Sequence, residues 1–140
     1  MQKGSILPTL IETAKILGQQ SNFKEILRVV AHQSAHLLEA DLALVLMLNP
    51  ETRETVRTIV RDGKSIEQKE YRDIHIHVGG WIISKGTPFI SKDIQRDKRF
   101  TRGLFDNVPA KSVAGVPLIS ERIVIGALIL LYRNSPDVIN

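Results

Sequence analysis

Cysteine is absent from this 140-residue chain. That excludes disulfides, thiolate ligation of zinc or iron–sulfur clusters, thiol nucleophiles and a thioether-attached chromophore. Aromatics are scarce at 5%, with a single tryptophan, so the chain has no row of rings on which bases could stack. Lysine and arginine are scattered rather than gathered into a run. The net charge of +4 therefore reads as a solvated surface of mixed charge, and nucleic acid is not expected as a partner. The longest apolar run, residues 123–131, falls well short of the ~20 residues that cross a bilayer. No basic and apolar leader opens the chain, so a cytoplasmic location without membrane contact is expected. No Ser-His-Asp order in motif context, P-loop, dinucleotide fingerprint or paired-carboxylate motif is found. The chain is expected not to be an enzyme, and no catalytic or metal-ligating residue is assigned.

What is present is an ordinary globular composition, 43% hydrophobic and 24% charged, with one domain as the natural expectation at this length. Residues 6–17 carry Ile6, Leu10, Ala14 and Leu17 at helical spacing, and Gly18 ends the stripe. Asn22 is a candidate N-cap with Glu25 to complete a capping arrangement. Phe23, Ile26, Leu27, Val30, Ala31, Leu37 and Leu38 extend the second helical period to about Ala40. Residues 42–48 form an apolar run of strand length, expected to lie centrally with both faces covered. A turn at residues 49–52 precedes an alternating strand, 55–61, and Asp62–Gly63 is a two-residue hairpin signal.

Residues 65–76 predict a third, more polar strand. A short helix follows over 78–85, ended by Gly86, and then an extended piece over 87–91, where Pro88 disfavours helix before it. Residues 92–111 form a long polar stretch with Phe100, Leu104, Phe105 and Val108 as its large anchors. Two apolar strands, 112–119 and 123–133, close the chain as a hairpin around residues 120–122. The expected class is α+β, an antiparallel sheet with helices packed on at least one face.

Three of these segments together resemble the GAF domain family, the small-ligand and signalling module of sensor kinases, transcriptional regulators and cyclic-nucleotide enzymes. SNFKEILRVVAHQSAHLLEADLALVLML is similar to the family's entry helix and first strand. HVGGWIISKGTPFISKDIQRDKRF resembles its glycine-bounded helix, short strand and Asp-containing loop, with Asp93 and residues 97–100 in the matching places. SVAGVPLISERIVIGALILLYR resembles the closing hairpin. The likeness runs over about residues 21–132.

It implies a six-stranded antiparallel sheet with terminal helices on one face, and a short helix and loops covering a ligand pocket on the other. It also implies residues 1–20 as an N-terminal dimerisation or linker helix, 21–134 as the domain, and 135–140 as the truncated start of a C-terminal helix. The output domain would then lie elsewhere in a longer protein. The cyclic-nucleotide-binding members carry an Asn-Lys-Phe-Asp-Glu pattern. Here only residues 91–92 and 105–107 resemble fragments of it, without the Asn and the Glu, which argues against that ligand.

The pocket residues expected on this basis are His75, His77, Trp81, Ile82, Phe89, Asp93, Phe100, Phe105 and Val116. On a strand, His75 and His77 would face one side, able to ligate haem iron or a metal or to bond a polar ligand. Strand histidines bonded to backbone or solvent are the plainer reading and carry more weight. His32 and His36, four apart on a helix, lack a third ligand and read as a polar face. Trp81 reads equally as pocket wall or as packing. Gly79–Gly80 could bring free N–H groups to an anion, or simply allow a tight helix entry. Asp93, Asp97, Lys98 and Arg99 read as ligand contacts or, more readily, as a solvated loop. Arg53, Arg57 and Arg61 read as an anion patch or as a solvent-facing strand edge.

The function expected is a small-molecule-sensing regulatory domain of a histidine kinase or transcriptional regulator, relaying ligand state through its terminal helices and dimerising through them. A structural dimerisation module that binds no ligand is the alternative, and a haem-based gas sensor through His75 or His77 a third. The cofactor is left unknown.

Overall fold

The apolar stripe that begins at Phe23 forms the helix α1 (Phe23–Leu37). The computed structural model describes residues 23–48, 55–61, 64–66, 69–120 and 122–134. The predicted helix over 6–17, the Asn22 cap, the 49–52 turn, Arg53 and the start at 135 lie outside these residues. α1 stops about three residues earlier than its period suggests, because Glu39 adopts a left-handed conformation (φ 56). That reversal sends the Ala40 N–H to the Ala35 carbonyl at 2.9 Å, a helix cap made without the usual glycine.

The strands that follow are β1 (Leu42–Leu48), β2 (Thr55–Arg61) and β3 (Lys64–Ile66), then β4 (Phe89–Ser91), β5 (Ser112–Ser120) and β6 (Ile123–Tyr132). They form one antiparallel sheet in the order β3-β2-β1-β6-β5-β4. β1 is central, paired with β2 on one side and β6 on the other, as its unbroken apolar run predicts. Arg61 pairs with Lys64 across the Asp62–Gly63 step. The two edge strands, β3 and β4, are three residues each, which leaves little open ladder for unwanted pairing.

Alternation along the strands divides the core into two layers. Ala43, Val45, Met47, Val60, Leu128, Leu130 and Tyr132 pack with Val30 and Ala31 of α1. Leu42, Leu44, Ile59, Val113, Ala127, Ile129 and Leu131 pack on the opposite side, beneath the segments between β3 and β5. There the sequence expectation fails. Residues 65–76 are not one strand, since β3 ends at Ile66 and a short turn of 3-10 helix, Lys69–Tyr71, follows. A π-helical turn, Ile74–Val78, then runs directly into the helix α2 (Gly79–Lys85). The alternating β-branched residues of 74–78 suggest a strand, but Tyr71, Ile74, His75, Val78, Gly79 and Ile82 are the buried positions. Their spacing of three and four is helical, and it fits one continuous helical stripe against the sheet.

Two glycines set the geometry around α2. Gly86 takes the left-handed conformation (φ 65) that ends it, its N–H bonding the Ile82 carbonyl at 2.7 Å. On β5, a Cβ at Gly115 would stand 2.5 Å from the Ile82 side chain and 3.2 Å from the Leu128 carbonyl. The absent side chain is what lets Ile82 seat on the sheet.

Candidate functional site

The face of the sheet opposite α1 is covered by the π turn, α2 and the stretch from Lys92 to Lys111. The stretch from Lys92 to Lys111 is ordered by a small set of bonds more than by regular structure. At its base the Ile94 N–H bonds the Lys111 carbonyl at 2.9 Å, and the Lys111 N–H bonds the Tyr132 carbonyl at 2.8 Å. Ser112 Oγ donates to the Lys92 carbonyl at 3.0 Å. Across its middle, Gln95 Nε2 donates to the carbonyls of Phe105 (2.6 Å) and Val108 (3.2 Å). Ile94, Phe105 and Val108 are buried beneath, so the stretch read as a polar loop is anchored at more points than its large residues suggest.

Asp93 caps the short turn Ile94–Arg96 by accepting from the Gln95 N–H at 3.2 Å. It also pairs with Lys111 at 3.1 Å and lies 3.8 Å from Arg96. The Lys111 hydrogen bond, ahead of its neighbours' charges, holds the Asp93 carboxyl below the usual range. Asp93 is thus engaged in closing the loop.

A chain of rings runs through the cover. Trp81 meets Phe89 edge to face at 5.3 Å between centroids, Phe89 meets Phe100 at 5.8 Å, and Phe100 meets Phe105 at 5.1 Å. The Arg99 guanidinium lies 4.1 Å over the Phe89 ring and 5.2 Å from the Trp81 centroid. The same guanidinium grips Asp97, with Nε 2.9 Å from Oδ1 and a terminal nitrogen 2.7 Å from Oδ2. It also donates to the Ile90 carbonyl at 2.8 Å. The Arg99 bonds, helped by the Ser91 hydroxyl, bring the Asp97 carboxyl down to about 2. Sequence reasoning treats these charges as a solvated loop. The signal available was the Asp-x-Arg spacing beside an aromatic run, which has meaning only once the fold stacks them.

Of the expected pocket residues, the structure brings Trp81, Ile82, Phe89, Phe100 and Phe105 together in one cluster, with Asp93 at the base of the loop. Ile82, Phe89 and Phe105 are at most 2% exposed, and their side chains fill the space between sheet and cover. Val116 lies on the other face, packed toward α1, because Gly115 before it faces α2 and strand neighbours alternate. It lines instead an apolar groove of about 130 Å³ with Leu38, Ile90, Ala114 and Leu130.

His75 and His77 do not share a side, since they stand on a helical turn rather than a strand. His75 is buried at 3% exposure, and His77 is exposed. His75 Nε2 has no hydrogen-bond partner. Burial, and then the nearby Arg57 charge, lower its pKa to about 4 against a weaker pull from the backbone of Thr58 and Val45. The imidazole is therefore neutral at ordinary pH. A haem iron could reach it only if the π turn lifted from the sheet.

The Gly79 N–H is directed to the carbonyls of Ile74 and Ile76, so it is not free to hold an anion. Arg57 is exposed, and Arg61 is half-buried with its guanidinium 3.4 Å from the Tyr71 hydroxyl. His32 and His36 stand 6.5 Å apart between ring centroids. Among the described residues, no group of three His, Asp or Glu side chains is placed to hold a metal ion. No helix among them is long and apolar enough to cross a membrane.

The sequence profile of the family described as GAF domain matches residues 20–140. The chain is similar in structure to a domain of a Sinorhizobium meliloti protein assigned as a two-component sensor histidine kinase. That match has a TM-score of 0.58 and 18% identity, over 82% of this chain and 78% of that one. It is similar to the GAF domain of an Acinetobacter phosphoenolpyruvate-protein phosphotransferase (TM-score 0.57, 14% identity, 94% of this chain and 80% of that one). A third similar structure is the GAF3 domain of a Synechocystis protein in its photoproduct state (TM-score 0.58, 17% identity, 81% and 78%). No curated protein matches the chain. At these identities the structural likeness is one of fold.

Proposed function

We infer that this chain, which belongs to the GAF domain family, is a sensory and regulatory domain of a signalling protein, with a small molecule binding between the sheet and its cover. The observation that carries this reading is the asymmetry of the two layers. One face of the sheet lies under the regular helix α1. The other lies under the short α2 and a long loop whose turns are held by hydrogen bonds to backbone carbonyls, with Gln95 as the central pin. Such a cover can loosen piecewise without loss of the sheet. A ligand that binds one arrangement of it better shifts the population by its difference in affinity. Terminal helices would carry that difference to an output domain, a histidine kinase or a transcriptional regulator, and would pair two copies of the chain. The name carried by the Sinorhizobium relative agrees with this setting.

The test is a thermal-shift screen of the purified protein against nucleotides, haem, amino acids and oxyanions. The expected result is stabilisation by one chemical class, growing with concentration as RT ln(1 + [L]/Kd) requires. A melting temperature that no class moves would overturn the reading. A second reading, a structural module acting through dimerisation, is favoured by the filled interior around Ile82, Phe89 and Phe105. It predicts a dimer in light scattering with no ligand present, and a strict monomer would remove it.

A further inference from the structure

The Arg99 guanidinium sits in a small box of rings and oxygen acceptors. Trp81 and Phe89 meet edge to face, and Phe89 is locked at 0% exposure on β4. The Asp97 side chain is only 8% exposed and takes a further hydrogen bond from Ser91. The Ile90 carbonyl completes the set. Two ring faces for the cation, a carboxylate for a forked pair and a carbonyl for one further N–H are what a planar guanidinium requires.

The occupant reaches the box from a turn rather than from the sheet. Arg99 stands two residues from Asp97 in the same turn, and its side chain is 37% exposed, so it meets solvent on its outer side. A side chain delivered from a turn can swing out while Phe89 and Trp81 stay in the core.

We propose that Trp81, Phe89, Asp97 and the Ile90 carbonyl form a guanidinium-binding subsite, which Arg99 occupies as a tethered stand-in for a small free guanidino compound. This rests on the sensory reading for its biological meaning and names the ligand class of the cover. Displacing Arg99 releases its bond to the Ile90 carbonyl and so unpins one side of the loop from β4. The occupied and displaced states then differ in the part of the domain that rests on hydrogen bonds to carbonyls.

The experiment uses methylguanidinium and the only tryptophan of the chain, Trp81, as reporter. In Arg99→Ala the box is open, and methylguanidinium is expected to produce a saturable change in Trp81 fluorescence and a rise in melting temperature. The intact protein should need about tenfold more ligand or greater, because a tethered side chain competes at millimolar effective concentration. Tetramethylammonium and sodium chloride at equal ionic strength should produce neither effect, and Arg99→Ala combined with Asp97→Asn should abolish both. Should Arg99→Ala not fold, titrating the intact protein and following the Arg99 Nε–H resonance reads the same displacement.

Absence of a saturable response in the measurement that can be made, or an equal response to tetramethylammonium, would overturn the proposal. Stabilisation of the intact protein by another ligand class, with Arg99→Ala silent to methylguanidinium, removes this subsite and keeps the sensory reading. Methylguanidinium binding to Arg99→Ala with no response of the intact protein at any concentration would show that Arg99 is not displaced, and would overturn the proposal.

Discussion

His75 is a neutral imidazole pressed against the backbone of the β1–β2 pair, and its burial makes it an acid-sensitive point. The unfolded chain takes up a proton there near 6.5, the folded chain only near 4. Because the folded value is depressed, the unfolded state binds more protons between these limits. The stability it contributes is complete above about pH 6.5 and is lost as pH falls toward 4. With each pKa unit equivalent to about 1.4 kcal/mol, the full loss is on the order of 3 kcal/mol. Urea midpoints measured across this window should fall with pH in the intact protein and stay flatter in His75→Leu. The Leu variant also removes the unpartnered Nε2, so stability at pH 7 should be unchanged or slightly raised. Parallel pH profiles for the two proteins would refute the assignment.

At the scale of elements, the cover hangs on Gln95. Its amide satisfies the carbonyls of Phe105 and Val108 at once, and nothing in its neighbours' polarity marks it out. Gln95→Ala should cost about 1–2 kcal/mol, the ordinary net contribution of two such bonds. It should also speed hydrogen exchange at the Val108 and Ala110 amides more than at β1 and β6. Uniform acceleration across the sheet would show that the cover and the sheet open as one unit. The π turn and α2 illustrate the opposite relation of sequence to element. Ile74, Ile76 and Val78 favour a strand locally, but burial of Ile74, His75, Val78 and Ile82 against the sheet outweighs that preference.

Across the whole molecule, two side-chain bonds of long reach add to the β1–β6 ladder and tie the end of α1 to the end of β6. Tyr132, 3% exposed, donates its hydroxyl to the Leu38 carbonyl at 2.8 Å. Arg133 N–H bonds Asp41 Oδ2 at 2.7 Å. Burial first, then the Asp41 and Glu39 charges, raise the Tyr132 pKa. Tyr132→Phe should lower stability by about 1 kcal/mol in urea unfolding without changing the sheet. An unchanged midpoint would mean that this link is not rigid in solution.

By itself the sequence determined the strands β1, β2, β5 and β6, the helix that packs beneath them, the Gly86 stop and the family likeness. These are set by periodicities of two and about 3.6 and by turn residues, which act over a few positions. Only the tertiary structure decided that residues 74–78 are helical, that His75, His77 and Val116 stand apart from the ring cluster, and that Arg99 joins Asp97, Phe89 and Trp81. Each of those outcomes rests on which face a residue turns to a distant partner, and that is settled by packing across the sheet rather than by neighbours along the chain.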